Sequence, residues 1–154
     1  MPQLEDIENL SEKLNDTYNA AGITRVLEEI FSSVHIYIYD STSETLRDFS
    51  RSWISIDEFG HKYQTKNLYR VFEKLKNITC TEENDCLFYG LYQGQKLIGM
   101  IKFDSIPDKE NFALFKTTSY LISLKIQNVI LLERMQRNID FHDAMKNIAK
   151  IIET

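Results

Sequence analysis

The last third of the chain carries the feature that most restricts its fold. Between Lys109 and Thr154 there is no proline and no glycine, and apolar residues recur at intervals of three or four. The apolar stripe comprises Leu121, Ile122, Ile126, Val129, Leu132, Met135, Ile139, Met145, Ile148 and Ile152. This period predicts one helix of about 40 residues, well beyond the 8–20 residues that are usual in globular proteins.

A helix of this length has to satisfy two environments. Its first part, which follows Pro107, can pack on a compact domain. From about Arg134 onward the apolar stripe has no evident partner in the chain, which indicates a coiled coil with a second chain. The stripe runs on to Ile152 without a glycine stop, so we expect the natural chain to continue beyond this helix.

A β-hairpin is predicted immediately before the long helix. Residues 86–92 and 96–103 are rich in β-favouring side chains, and Gly94 lies between them as a turn residue. Alternation places Leu97, Gly99, Ile101 and Phe103 on one face of the second strand and Ile98, Met100 and Lys102 on the other. Because both faces are largely apolar, this strand is expected to be covered on both sides.

The first half of the chain alternates between helical and strand patterns. Helices are predicted over 3–18 and from residue 23 to residue 31, followed by a strand at 34–39, a turn at 40–43 and a return strand at 46–54. Residues 55–65 and 77–85 are predicted to be loops, with a short helix over 68–75 between them. This order predicts an α+β domain whose central antiparallel sheet is flanked by the N- and C-terminal helices.

Composition narrows the class of protein. The 154 residues are 43% hydrophobic and 27% charged, which suits one domain with a substantial core. The net charge of -5 argues against a nucleic-acid partner, and no apolar run reaches the roughly 18 residues of a membrane span. The acidic N-terminus lacks the apolar segment of a signal peptide, so a cytoplasmic location is expected.

The two cysteines, Cys80 and Cys86, lie where the predicted loop meets a strand. Zinc requires about four ligands, and no second Cys/His pair stands near them, so no metal site is predicted. We interpret them as reduced thiols.

Three segments together resemble the GAF domain, a sensor module of signalling proteins. TRVLEEIFSSVHIYIY (24–39) is similar to the family's opening helix and first strand, and CLFYGLYQGQKLIGMIKFD (86–104) to its late hairpin. FALFKTTSYLISLKIQNVILLE (112–133) is similar to its closing helix. The resemblance covers about residues 20–135 and divides the chain into an N-terminal helix (1–19), a GAF-like domain (20–133) and an outgoing signalling helix (134–154). A PAS-like fold is the runner-up, and a longin- or profilin-like fold is less favoured.

The resemblance implies a non-catalytic regulatory module in the N-terminal part of a larger bacterial signalling protein. Such a module binds a small molecule or partner and relays its state through the C-terminal helix to an output domain, as a homodimer joined by its terminal helices. The alternative is an interaction or dimerisation domain without a ligand. A GAF-fold reductase using cysteines is disfavoured because that chemistry relies on more cysteines than Cys80 and Cys86.

The predicted ligand site lies on the first strand, where one face carries a histidine and two tyrosines. The proposed lining consists of His35, Tyr37, Tyr39, Trp53, Tyr63, Tyr69, Phe72 and Phe88. Packed core is the alternative interpretation of this aromatic face and the favoured one, because aromatic residues in strands are mostly core. No cofactor is assigned, and no catalytic motif occurs.

The family's dispersed cyclic-nucleotide signature, Asn-Lys…Phe…Asp-Glu, is incomplete. Ile101 precedes Lys102 where asparagine is expected, and no Asp-Glu pair follows Phe103 or Phe112 at the required distance. Cyclic-nucleotide binding is therefore not predicted, and Lys102 is interpreted as a solvent-facing strand residue.

Overall fold

A computed structural model describes residues 3–50, 54–58 and 62–153 as an antiparallel sheet covered by helices on both faces. The elements are α1 (Leu4–Asn15), α2 (Ala20–Phe31), β1 (Val34–Asp40), β2 (Thr45–Asp48), β3 (Ile54–Ser55), a 3-10 turn (Ile56–Glu58), α3 (Lys62–Leu75), β4 (Cys80–Glu83), β5 (Cys86–Gln93), β6 (Lys96–Phe103) and α4 (Lys109–Glu153). The predicted α+β class with terminal helices beside a central antiparallel sheet is confirmed.

The sheet has the strand order β3-β2-β1-β6-β5-β4, so the first and the last strands of the chain are central neighbours. Their register pairs Tyr37 with Met100 and His35 with Lys102. Among the described helices, none combines the length and apolarity that a membrane span requires.

One face of the sheet packs against α1, α2 and the first part of α4. Its centre is an edge-to-face aromatic trio of Phe31, Phe103 and Phe115, with ring centroids 4.9–5.7 Å apart. Leu10 and Leu14 of α1 belong to the same buried cluster. The N-terminal helix is therefore attached to the domain by its own apolar stripe.

The opposite face of the sheet, which we call the roof face, is covered by α3. The buried layer between this face and α3 consists of Tyr37, Leu46, Ile56, Val71, Phe72, Leu75, Phe88, Leu97 and Met100. Tyr92 fastens the end of α3, since its hydroxyl donates to the carbonyl of Leu75. The sheet thus has two separate apolar layers, as the two apolar faces of the 96–103 strand predicted.

Three sequence predictions about the elements were wrong. The predicted return strand 46–54 is divided into β2 and β3, and α3 begins at Lys62 inside the predicted loop 55–65. The predicted loop 77–85 contains strand β4, which was missed because its four residues, CTEE, are almost all polar. Asn84 and Asp85, both with positive φ, form the tight turn from β4 to β5, a conformation these residue types tolerate.

A β-bulge corrects the predicted faces of β6. Leu91 pairs with Gly99 and Tyr92 with Leu97, so Ile98 is the extra residue between them. The bulge moves Leu97 to the roof face, whereas Ile101 and Phe103, which were predicted to share a face, lie together on the face covered by α1, α2 and α4. Strict alternation fails here because one inserted residue reverses the order of faces.

The last part of α4 projects away from the domain. Buried side chains on this helix end at Ile130, and from Arg134 every described side chain is exposed. The outward face carries a strict 3-4 repeat consisting of Leu121, Leu124, Asn128, Leu131, Met135, Asn138, His142, Met145, Ala149 and Ile152. We call this repeat the stalk seam. At 1.5 Å per residue it extends over about 48 Å.

Candidate functional site

Two clefts open between α3 and the roof face of the sheet. The first, about 200 Å³, is lined by His35, Tyr37, Asp48, Ile56, Gln64, Thr65 and Leu68. The second, about 320 Å³, is lined by Tyr37, Gln64, Asn67, Leu68, Glu83, Asn84, Cys86, Phe88 and Lys102. Because Tyr37, Gln64 and Leu68 line both, the clefts are two halves of one site divided by these side chains.

The sheet supplies a polar cluster at the floor of this site. The antiparallel register places His35 of β1 opposite Lys102 of β6, one in each cleft. Both are held by Asp104, whose carboxylate lies 3.1 Å from His35 Nε2 and 3.6 Å from Lys102 Nζ. Ser33 Oγ donates to the same carboxylate at 2.5 Å.

Asp104 remains ionised within this cluster. Burial, the largest influence, raises its pKa, but the hydrogen bond from Ser33 and the neighbouring His35 and Lys102 outweigh that effect. The pKa of Asp104 therefore lies below its ordinary value of 3.8. The cluster presents an imidazole and an ammonium group that are already oriented by a shared carboxylate.

Helix α3 supplies the opposite wall. Gln64, Asn67 and Leu68 share one face because they are three and four residues apart. The C-terminal part of the helix is fixed to β4 by Glu83, which accepts hydrogen bonds from Lys74 at 2.6 Å and Arg70 at 2.6 Å. These two bonds connect the roof helix with an edge strand of the sheet.

This arrangement lowers the pKa of Glu83. The hydrogen bond from Lys74 is the largest cause of a lowered pKa, which burial partly offsets and Arg70 reinforces. Its side chain is only 10% exposed. Its charge is thus committed to the wall of the cleft and is compensated by two cations.

Tyr69 fixes the middle of α3. Its hydroxyl donates to Asp57 at 3.0 Å and accepts from the backbone N–H of Leu46 at 3.1 Å. Burial raises the pKa of Tyr69, so the hydroxyl stays protonated. The predicted site residue Tyr69 therefore joins α3 to β2 and the 3-10 turn, and it lines neither cleft.

The structure divides the other predicted site residues between cleft and core. His35, Tyr37 and Phe88 line the clefts, although Tyr37 is only 7% exposed and Phe88 only 2%. Tyr39 and Phe72 stack on one another with centroids 5.2 Å apart, and Phe72 is 3% exposed in the roof core.

Two predicted site residues lie outside this description. Trp53 is not among the described residues, and the side chain of Tyr63 is not described although α3 includes it. Ligand contact by the eight predicted residues stays a prediction.

The polar residues of the site were missed by the sequence interpretation. Gln64 and Asn84 were assigned to loops and Asp48 to a strand of uncertain register, while Asn67 lay between a predicted loop and a predicted helix. Gln64 and Leu68 precede Val71, Phe72 and Leu75 at helical spacing, and this signal could have extended the predicted helix backward. Lys102, which was interpreted as solvent-facing, is partly buried and borders the second cleft.

The chemical groups around the two clefts determine what the site can bind. Within the described residues, no three His, Cys, Asp or Glu side chains are grouped closely enough to hold a metal ion. Cys80 and Cys86 are free thiols, and Cys86 Sγ lies 3.7 Å from the carbonyl of Asp104. Amide, ammonium, imidazole and phenol groups beside the apolar side chains of Leu68 and Phe88 can hydrogen-bond a small polar molecule.

Comparison with solved structures identifies the fold. The GAF domain of the potassium sensor histidine kinase KdpD from Escherichia coli matches with a TM-score of 0.58 and 12% identity, covering 87% of this chain and 99% of that chain. The GAF domain of an Acinetobacter phosphoenolpyruvate-protein phosphotransferase matches with a TM-score of 0.58 and 11% identity, over the same shares of both chains. The chain therefore has the GAF-domain fold, as its sequence resemblance predicted. No family model and no curated protein matches the sequence.

Proposed function

We propose that this chain is a cytoplasmic, non-catalytic regulatory module that binds a small molecule in the roof-face clefts and signals through α4. In this proposal α4 forms a homodimer and transmits the liganded state to an output domain. The match to the GAF domain of a sensor histidine kinase supports a regulatory role of this kind.

One observation carries the proposal: the cleft and the signalling helix lie on opposite faces of the same two central strands. On β1 and β6, Tyr37 and Lys102 face the clefts, while Ile36, Ile101 and Phe103 face the other layer. That layer includes buried residues of α4, which then leaves the domain. A ligand that favours one packing of these strands would bias the position of the stalk.

The experiment is a thermal-shift screen with nucleotides, amino acids and small carboxylic acids. A ligand that binds only the folded protein raises the unfolding temperature by mass action. The variant Leu68→Trp fills the partition between the two clefts, whereas Lys66→Trp adds the same side chain to an exposed position of α3. We expect a stabilising compound to act on the wild type and on Lys66→Trp but not on Leu68→Trp.

A second candidate function is ligand-free dimerisation or protein interaction. It is favoured by the burial of Phe72 and Phe88 and by the Tyr39–Phe72 stack, which make most of the aromatic face part of the core. If no compound in the screen stabilises the wild type, this second function is the better account. Equal stabilisation of both tryptophan variants would locate binding outside the clefts.

A further inference from the structure

A third cleft lies where α4 leaves the domain. It measures about 690 Å³ and is lined by Ile38, Tyr39, Asp40, Ser41, Thr42, Arg47, Arg134, Arg137 and Asn138. One wall is the tip of the β1–β2 hairpin, and the other is the first turn of the projecting stalk. We call it the junction cleft.

The junction cleft is basic in an acidic protein. The chain has a net charge of -5, yet three of its six arginines line this cleft: Arg47, Arg134 and Arg137. The only acidic side chain among the described lining residues is Asp40. The lining therefore carries a formal net charge of +2.

The negative charge of Asp40 is already compensated within the hairpin. Its carboxylate accepts a hydrogen bond from Arg47 Nε at 3.0 Å and another from the backbone N–H of Thr42 at 3.0 Å. Burial is the largest influence on its pKa and raises it, but these bonds and that of Ser43 lower the pKa below its ordinary value. Asp40 thus orients Arg47 and remains an ionised, satisfied group.

Among the residues that the structure describes, the two stalk arginines have no acidic partner of this kind. Arg134 and Arg137 are exposed, and neither forms an ion pair with a described side chain. Arg137 Nε donates to the backbone carbonyl of Glu133, at 3.4 Å. Residues three and four apart on a helix share a face, so Arg134 projects beside Arg137 and Asn138.

We propose that the junction cleft binds the phosphate group of a small phosphorylated molecule. Guanidinium groups form paired hydrogen bonds with phosphate oxygens, and a phosphomonoester offers three such oxygens with about two negative charges. A carboxylate offers two oxygens and one charge, which satisfies fewer of these donors. The hydroxyls of Ser41 and Thr42 and the amide of Asn138 add neutral donors at the rim.

Binding there would connect two parts of the molecule that are otherwise joined through the sheet. The phosphate would lie between the hairpin tip and the turn of α4 that follows its last buried residue, Ile130. It would hold the first turn of the stalk against the domain. This second input is independent of any ligand in the roof-face clefts.

The test is a titration of the whole chain with inorganic phosphate at constant ionic strength, observed by NMR. We expect saturable shifts of the Thr42 and Asn138 amide signals and of the arginine Nε–H signals. The double variant Arg134→Gln/Arg137→Gln should weaken phosphate binding at least tenfold. The control Lys109→Gln/Lys146→Gln removes two charges from the same helix outside the cleft and should change binding less than twofold.

Several outcomes would overturn the proposal. Shifts that never saturate, that sodium chloride reproduces, or that the lysine control weakens equally would show only a general charge effect. If phosphate does not bind and the arginine variant instead lowers the mass of the particle in solution, the basic face is a contact between copies of the chain. Because all four substituted residues are exposed, circular dichroism can verify that both variants remain folded.

Discussion

Gly99 occupies a point in the sheet where two backbones come closer than any side chain permits. A Cβ placed there would lie 2.4 Å from the Tyr37 carbonyl oxygen and 3.2 Å from the Ile38 Cα. The central β1–β6 pair can therefore keep its register only with glycine at this position.

We expect Gly99→Ala to destabilise the protein by about 1–3 kcal/mol, since the strands must separate to admit the methyl group. Urea unfolding followed by circular dichroism measures the loss. Gly94→Asn is the matched control, because Gly94 has φ 63° at an open turn and asparagine tolerates that conformation. A Gly99→Ala variant as stable as Gly94→Asn would contradict the close approach.

A second residue-scale prediction concerns Glu83. Its folded pKa lies below the ordinary value of 4.5, so it contributes stability above that pH, which is lost as the pH falls through the lowered value. Glu83→Gln should cost about 1 kcal/mol at pH 7 and less at pH 3, because the charge-dependent stability of the wild type declines as the pH falls below 4.5. Urea unfolding at both pH values measures this.

Glu73→Gln serves as the control for Glu83. Glu73 forms a single surface pair with Lys76 and is 67% exposed, so its replacement should have a small effect at either pH. A Glu83→Gln variant whose deficit is the same at pH 7 and pH 3 would show that packing, not charge, explains the loss.

At the scale of elements, α4 is one helix that lies in two environments. Its first half is fixed by burial against the sheet, while the stalk seam stays exposed, with Met135 53% and Met145 49% accessible. A 3-4 repeat of this length is typical of a coiled coil between identical chains. Self-association through the stalk seam is the element-scale prediction.

We expect the wild type to sediment as a dimer of the 18.1 kDa chain. Met135→Glu/Met145→Glu should yield monomers, because like charges would face each other in the seam. Ala144→Glu/Asn147→Glu adds the same charges to α4 outside the stalk seam, and this variant should remain dimeric. A monomeric wild type at tens of micromolar, measured by analytical ultracentrifugation, would refute a stalk-mediated dimer.

The elements also show where sequence patterns are informative. The long helix, the first strand and the late hairpin were predicted correctly because each has a strong apolar period that burial enforces. Strand β4 has no such period, since its polar side chains lie at an edge of the sheet. Its hydrogen bonds with β5 define it, and no local pattern encodes them.

At the scale of the molecule, the candidate site depends on the meeting of distant segments. His35 and Lys102 are far apart in the chain and become cross-strand neighbours only because the first and last strands pair. Alternation along β1 predicted the aromatic residues of the site, but it did not predict the polar residues that line the clefts. Gln64 and Asn67 reach the cleft only through the packing of α3 over the sheet.

Local sequence patterns were enough to predict the α+β class, the GAF-like order of elements and the long outgoing helix. These features follow from the spacing of apolar residues along the chain, which indicates the type of each element and the face that it buries. Three features became visible only in the folded chain: the bulge that moves Leu97 to the roof face, the division of the aromatic face between cleft and core, and the basic junction cleft. The physical reason is that strand register, bulges and clefts arise from contacts between segments remote in sequence, whose free energies no local pattern contains.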